Sequence, residues 1–472
     1  MRNNKTSESK FTTMTQAPIR GLIVRMAIPT IISMLVTSLY NMADTFFVGQ
    51  LNNTSATGAI GVVFPLMAIL QGIGFTFGQG SGNSMSRSLG RQDRAAAERM
   101  SASGFFSAFL AGILLMASGL VFNSSLMRLL GATPTIMPYA VAYVWYILPG
   151  APWLMASLVL NNQLRLQGSA YFAMVGIGLG ALLNILLDPL FIFIFNMGVS
   201  GAALATSISQ FVSFWVLLAG TRRGGNIVPK LRNFTFGLSQ YAEILRGGMP
   251  SFWRQGLGSV ASVMLNVAAG AYGDWAVAGM AIVTRIMMLA ASAIIGFGQG
   301  FQPVCGFNFG AGLYARVRKG FFFTLQVMLA WMLLISIIGI ALAPGIVALF
   351  SQDGEVVRFA SSVLRFHCYV FPLMSLVFAS NMMLQNIGNA FRASLLSMAR
   401  QGIFFIPAIL ILPNLFGLVG LQTVQPVADI CAFLLSIPLV KPVLQELKAG
   451  DAKLPPKLNS EARALGRGKG DS

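Results

Sequence analysis

Charge is what this sequence has least of. Only 10% of its 472 residues are charged, against roughly 25% in a soluble domain. Too few ionic side chains exist to coat a globule of this size, so lipid must be its main solvent. One histidine and three cysteines (Cys305, Cys368 and Cys431), with no metal-ligand spacing, exclude a zinc cluster and a disulfide framework. Alternating strand patterning is absent, which argues against a β-barrel. The chain lacks a short apolar stretch with a small-residue cleavage site, so no removable signal peptide is expected. It also lacks the His-Glu-x-x-His motif and the nucleophile elbow, which removes two hydrolase classes.

What is present is a series of apolar runs of bilayer-spanning length. Twelve are read, at 27–49, 58–78, 101–122, 139–161, 171–195, 200–220, 247–270, 276–300, 321–349, 361–384, 394–412 and 419–440. The mean hydropathy is +0.72 and the net charge is +18. If alternate loops face the cytoplasm, starting with the N-terminus, those segments hold 26 of the 32 Lys and Arg, and the outer loops only Arg128 and Arg358. That bias is the positive-inside rule and places both termini in the cytoplasm. The basic excess therefore reports topology and attraction to anionic lipid rather than nucleic-acid binding. The expected layout is a cytoplasmic tail 1–26, a six-helix bundle 27–220, a cytoplasmic linker 221–246, a second bundle 247–440, and a disordered cytoplasmic tail 441–472.

The two bundles are related by an internal repeat. Phe-Gly-Gln-Gly occurs at 77–80 and again at 297–300, an offset of 220 residues. Gly90 with Gly310, Pro152 with Pro372, and Gly168 with Gly388 share that offset, and Pro29/Pro250 and Gly201/Gly420 fall one residue either side. Six helices per repeat return the chain to the same side. The expected fold is thus an all-α membrane protein, twelve transmembrane helices in two six-helix bundles related by a pseudo-two-fold along the membrane normal.

Carboxylates inside a bilayer are costly and mark function. Asp44 and Asp188 lie in apolar helices of the first repeat; Asp429 is the one acid in those of the second. Asn184 and Asp188, one turn apart, share a helix face. Pro189 removes the donor for the Ile185 carbonyl, which must be satisfied another way. Thr206 adds a hydroxyl. Asp44, Asn184, Asp188 and Thr206 together offer the oxygen ligands a hard cation prefers, and two close carboxylates can instead share a proton. The same set is expected to hold Na⁺ or H⁺; the plainer alternative is polar residues that tie helices together. By the repeat offset the second half lacks these groups and carries Arg254, Arg285, Arg365 and Arg400 instead. Arg365 and Arg400 are expected near helix ends, while Arg254 and Arg285 are expected to pair with Asp429 or with carbonyls, the alternative being that they face the cavity and favour anionic or zwitterionic cargo. His367 is read as a hydrogen-bonded structural residue rather than a proton relay. Pro29 is a kink candidate fifteen residues before Asp44.

The segments Leu183-Asn184-Ile185-Leu186-Leu187-Asp188-Pro189, Gly198, Gly201-Ala202-Ala203-Leu204-Ala205-Thr206, Ile28-Pro29 through Asn41-Met42-Ala43-Asp44, and Leu166-Gln167-Gly168 resemble the multidrug and toxic compound extrusion (MATE) transporters over residues 20–440. The resemblance implies cation-coupled efflux of organic, usually cationic amphiphilic compounds. It implies a coupling site of Asp44, Asn184, Asp188 and Thr206, with Tyr40 and Asn161 lining the same cavity. No organic cofactor is implied, only the coupling ion. Acidic residues that some members carry in the seventh and tenth helices are replaced here by Arg254 and its neighbours.

The expectation is a monomeric, inner-membrane multidrug antiporter with small organic cations as substrates. A flippase for a lipid-linked or anionic amphiphile is the alternative. It ranks second because no Lys or Arg falls within the first repeat's helices as drawn from hydropathy. An aspartyl enzyme using Asp44 and Asp188 is disfavoured because the flanks are Ala43-Asp44 and Leu187-Asp188.

Overall fold

The computed structural model describes residues 2–51 and 53–452, and every regular element among them is helical. The first part contains α1 (Arg2–Gln16), α2 (Ile19–Gly49), α3 (Thr54–Gly90), α4 (Arg94–Val121), α5 (Asn123–Leu129), α6 (Met137–Ile147), α7 (Ala151–Leu166), α8 (Ala170–Pro189) and α9 (Val199–Thr221). The second contains α10 (Leu238–Gly270), α11 (Asp274–Gly310), α12 (Tyr314–Ala348), α13 (Gly354–Val370), α14 (Met374–Ile387), α15 (Ala390–Met398) and α16 (Phe405–Ala452). Of the expected tail, residues 441–452 continue α16 and 453–472 lie outside the described residues.

Twelve crossings result. Short 3₁₀ turns at Leu148–Gly150 and Phe371–Leu373 join α6 to α7 and α13 to α14 into the fourth and tenth. Both turns precede or contain the repeat-related Pro152 and Pro372, where a missing N–H makes an unbroken α-ladder unfavourable. The stretch Ala390–Asp451, 62 residues long, is two crossings. It turns at Gly417, whose φ of +57° matches the +56° of Gly198 between the fifth and sixth crossings. Positive φ carries little penalty only for glycine, so the two turns repeat in conformation as well as in residue type. Large apolar side chains such as Leu114, Val267, Ile337 and Phe416 lie exposed on the outside, where lipid replaces water.

Several helices run past the apolar stretches at the end rich in Lys and Arg, so α3 includes Arg87 and α7 includes Arg165. At this basic end the lobes exchange their first helices. Helix α10 packs on α3, and α2 packs on α11. The repeated Phe-Gly-Gln-Gly motif explains the exchange. A Cβ on Gly80 would stand 1.9 Å from the Ile244 carbonyl oxygen, and one on Gly300 would stand 2.4 Å from Ala27 Cα. The last glycine of each motif is therefore where the partner lobe's first helix crosses backbone to backbone. Such close approach is what drives helix association in a solvent as apolar as leucine.

Polar contacts fasten the same end. Arg87 donates to Glu243 (2.8 Å) and to the Asn386 carbonyl (2.9 Å), and Ser84 donates to Glu243 (2.6 Å). Helix α1 lies across it: Lys10 Nζ donates to Ser169 Oγ (2.8 Å) and to Asn226, while Asn308 donates to the Met14 carbonyl (3.0 Å) in the other lobe. Burial, with Arg94 nearby, pulls the Lys10 ammonium down to about 8, so it still carries its proton into these two bonds at neutral pH. With lobe contacts gathered here, the central space closes toward the basic end.

Candidate functional site

The site is built by three helices of the first lobe. Asn184 and Asp188 project from the last turns of α8, and both are buried. Directly after Pro189 the backbone widens into a π-turn over Leu190–Ile194. Proline's missing donor and ring clash disfavour an unbroken α-ladder here, and a π-turn rearranges the freed carbonyls. Hydropathy carries no signal for that turn, but the Asp-Pro pair marks where it falls.

Asn184 is the hub. Its amide nitrogen lies 3.3 Å from Asp188 Oδ2, and its oxygen accepts from the Thr206 hydroxyl (3.3 Å) and backbone N–H (3.2 Å). This orientation is assigned by the bonds it completes. Asp44, half-buried on α2, lies within Coulombic reach of Asp188, and Tyr40 and Tyr143 are within reach of both. The structure thus joins Asn184, Asp188 and Thr206 of α8 and α9 through hydrogen bonds, with Asp44 of α2 within Coulombic reach. Among the described residues neither carboxylate forms an ion pair. Two carboxylates without a basic partner, in an apolar lobe, are stabilised by a bound cation or by a proton.

This cluster adjoins a cavity of about 160 Å³ lined by Tyr40, Asn161, Asn184 and Thr206. Asp188, with no exposed surface, sits behind Asn184. Asn161 donates to the Ala173 carbonyl (3.1 Å), and its repeat mate Asn381 donates to the Ala393 carbonyl (2.9 Å). Asn161 therefore both faces the cavity and ties α7 to α8. Pro29 lies in the body of α2, which continues as one helix from Ile19 to Gly49, and its carbonyl accepts from Ser33 (2.9 Å).

The second lobe departs from expectation. Asp429 pairs with Arg400 (2.9 Å) and accepts from Gln425 (2.7 Å), not with Arg254 or Arg285. Arg400 is not at a helix end. It lies in a π-turn, Ala399–Ile403, between α15 and α16, and its guanidinium is bound by Asp429. Arg365 reaches the Ile340 carbonyl (3.3 Å). His367 has a buried Nε2 without a hydrogen bond, so the hydrogen-bonded histidine expected from sequence is not found. Sequence reasoning also missed Arg165. It lies inside α7, is 2% exposed and lines the first-lobe cavity, so the first lobe's helices do contribute a cationic side chain. Arg165 donates to the Gln299 carbonyl (3.1 Å), to Gln302, and to Asn162 Oδ1 (2.6 Å). Its proximity to Leu166-Gln167-Gly168, a turn sequence, disguised it as a loop residue.

Two six-helix lobes with an internal repeat, and a first-lobe cavity that reaches the second lobe at Gln299, define a two-lobe membrane transporter. The MatE family model matches residues 29–190 and 250–411, and the chain belongs to that family, the MATE multidrug efflux transporters. It is 26% identical over 412 residues to the multidrug export protein MepA of Staphylococcus saprophyticus, covering 87% of this chain and 91% of that one. Its fold matches a MATE transporter solved in complex with MaL6 (TM-score 0.87, 26% identity, 93% and 99% of the two chains). It also matches a multidrug resistance MATE transporter in an outward-facing conformation (TM-score 0.86, 26% identity, 93% and 98%). The family consists of transporters of small molecules, not enzymes.

Proposed function

We propose that this protein is a monomeric cation-coupled antiporter that exports organic, cationic amphiphilic compounds by alternating access. It would act in a bacterial inner membrane with both termini in the cytoplasm. Asp44, Asn184, Asp188 and Thr206 hold the coupling ion, Na⁺ or H⁺, and Tyr40 and Asn161 line the cargo cavity beside it. The observation that carries this reading is a pair of carboxylates without a basic partner, Asp188 linked to the cavity through Asn184 and Asp44 within Coulombic reach of Asp188. An ion entering from outside neutralises them, the electrostatic attraction that holds a cationic cargo weakens, and the cargo leaves. Coupling requires ion and cargo to favour opposite states. The basic end, cytoplasmic by the positive-inside rule, is the closed one, which fits the outward-facing half of such a cycle. The name of the MepA relative, a multidrug export protein, supports the cargo class.

The test is ethidium transport in proteoliposomes under an imposed Na⁺ gradient, a pH gradient, or neither. Uptake that follows one gradient and stops without it is the expected result, and the active gradient names the ion. Uptake indifferent to both gradients would end the antiport reading.

A further inference from the structure

The second lobe holds a cavity of about 150 Å³ at the position related by the repeat to the first. Asn161 lines one and Asn381 the other; Ile177 and Gly180 line one, and Ser397 and Arg400 the other, each at an offset of 220. The motif glutamines cross over. Gln79 of the first lobe lines the second-lobe cavity, and Gln299 of the second lobe lines both. The cavities therefore meet at Gln299. Their chemistry is opposite. Where the first adjoins two free carboxylates, the second is lined by Arg254, which is exposed into it and forms no ion pair among the described residues.

Two positive groups, Arg254 and Arg400, line this space, with Asp429 behind Arg400 and Arg165 in the adjoining first cavity. Arg400 is neutralised by Asp429. Arg165 is held by neutral acceptors, and Arg254 lies within Coulombic reach of it. Arg254 itself makes one hydrogen bond, to Ser251 Oγ at 3.4 Å, of the five its guanidinium can donate. Gln79, 3% exposed, has an Oε1 without a hydrogen-bond partner; its amide can turn to present a donor instead. A guanidinium fork with free donors, beside an unneutralised second guanidinium, is complementary to a planar carboxylate.

We infer that Arg254, with Gln79 beside it, forms an anion subsite that takes a carboxylate carried by the cargo, so that zwitterionic amphiphiles are bound across both cavities. The inference rests on the reading of the first cavity as a cargo site. It widens that reading from simple cations to compounds whose positive part faces the first lobe and whose carboxylate faces the second.

Rhodamine 110 and its methyl ester, rhodamine 123, share one cationic ring system and differ in a free carboxylate. Their affinities for the full-length protein in phosphatidylcholine nanodiscs, read by fluorescence polarisation, give a ratio. In the wild type the acid is expected to bind at least about tenfold tighter than the ester, the size of a charge-assisted bidentate contact. Arg254→Gln should bring the ratio to about one. Arg254→Lys, which keeps the charge but not the fork, should lower it several-fold and serves if the glutamine variant does not fold. A wild-type ratio near one, a wild type that binds neither dye, or a ratio unchanged by either substitution would overturn the subsite. Loss of the ratio on adding phosphatidylglycerol would also overturn it, because a lipid phosphate would then be the occupant. Gradient-driven uptake of rhodamine 123 separates the two readings. Uptake with a ratio near one sinks the subsite alone, whereas a tenfold ratio without uptake sinks cation export alone.

Discussion

Gly80→Ala is expected to open the basic end and to favour the opposite state of the transporter by more than tenfold. The added methyl would stand 1.9 Å from the Ile244 carbonyl oxygen and 3.1 Å from the Gly248 nitrogen. Both are backbone atoms, so no rotamer change relieves the clash and α3 and α10 must separate. Overpacking of this kind costs about 1–3 kcal/mol, and about 1.4 kcal/mol is a factor of ten in an equilibrium. The cost falls on the closed basic end only, because the two helices part when that end opens. A Ser84→Cys reporter in a background with Cys305, Cys368 and Cys431 replaced reads the change. Ser84 is 1% exposed at the lobe contact, and its labelling by a water-soluble maleimide should accelerate more than tenfold. Gly256→Ala, in α10 with open space around the position, is the control and should leave labelling unchanged. Equal labelling in the Gly80 and Gly256 variants would mean that the motif glycine does not gate the basic end.

Asp188→Asn is expected to abolish gradient-driven uptake while leaving the fold intact or more stable. The carboxylate has no exposed surface and no ion-pair partner, so replacing it by a neutral isostere removes a buried charge rather than a structural bond. The Asn184 amide nitrogen that faces Asp188 can donate equally to an amide oxygen. Loss of at least tenfold in ethidium accumulation, with thermal stability unchanged or raised, is the predicted result. A variant that accumulates ethidium like the wild type would remove Asp188 from the coupling site, and one that unfolds would make its role structural.

Much of this site was legible because charge is scarce. With two carboxylates in the first lobe's apolar segments, their positions alone singled out Asp44 and Asp188, and one-turn spacing added Asn184. The duplicated Phe-Gly-Gln-Gly exposed the repeat, but not what the motif does: the glycine carries the helix crossing and the glutamine faces the cavities, and neither role has a hydropathy signature. Arg165 was hidden for a related reason. Apolar windows end where bilayer contact ends, yet a helix continues wherever its backbone bonds remain satisfied, so residues beyond the window were assigned to loops. The pairing of Asp429 with Arg400 was not anticipated because Arg400 was placed at a helix end, whereas it lies in a π-turn, Ala399–Ile403, within reach of Asp429. Of the two partners expected for Arg254, Asp429 or backbone carbonyls, the first is already engaged by Arg400.

The central claim is that the ion and the cargo compete through the first-lobe carboxylates. Linkage makes that competition visible without transport, since each ligand must change the other's affinity by the same factor. The decisive measurement is the ethidium affinity of purified wild type and Asp44→Asn as Na⁺ is raised at fixed pH, and then as pH is lowered without Na⁺. The account predicts that one of the two ions weakens ethidium binding at least about tenfold in the wild type. It predicts a flat response in Asp44→Asn, at the weak affinity of the ion-saturated protein. An ethidium affinity indifferent to both ions in the wild type, or weakened equally in the variant, would contradict it.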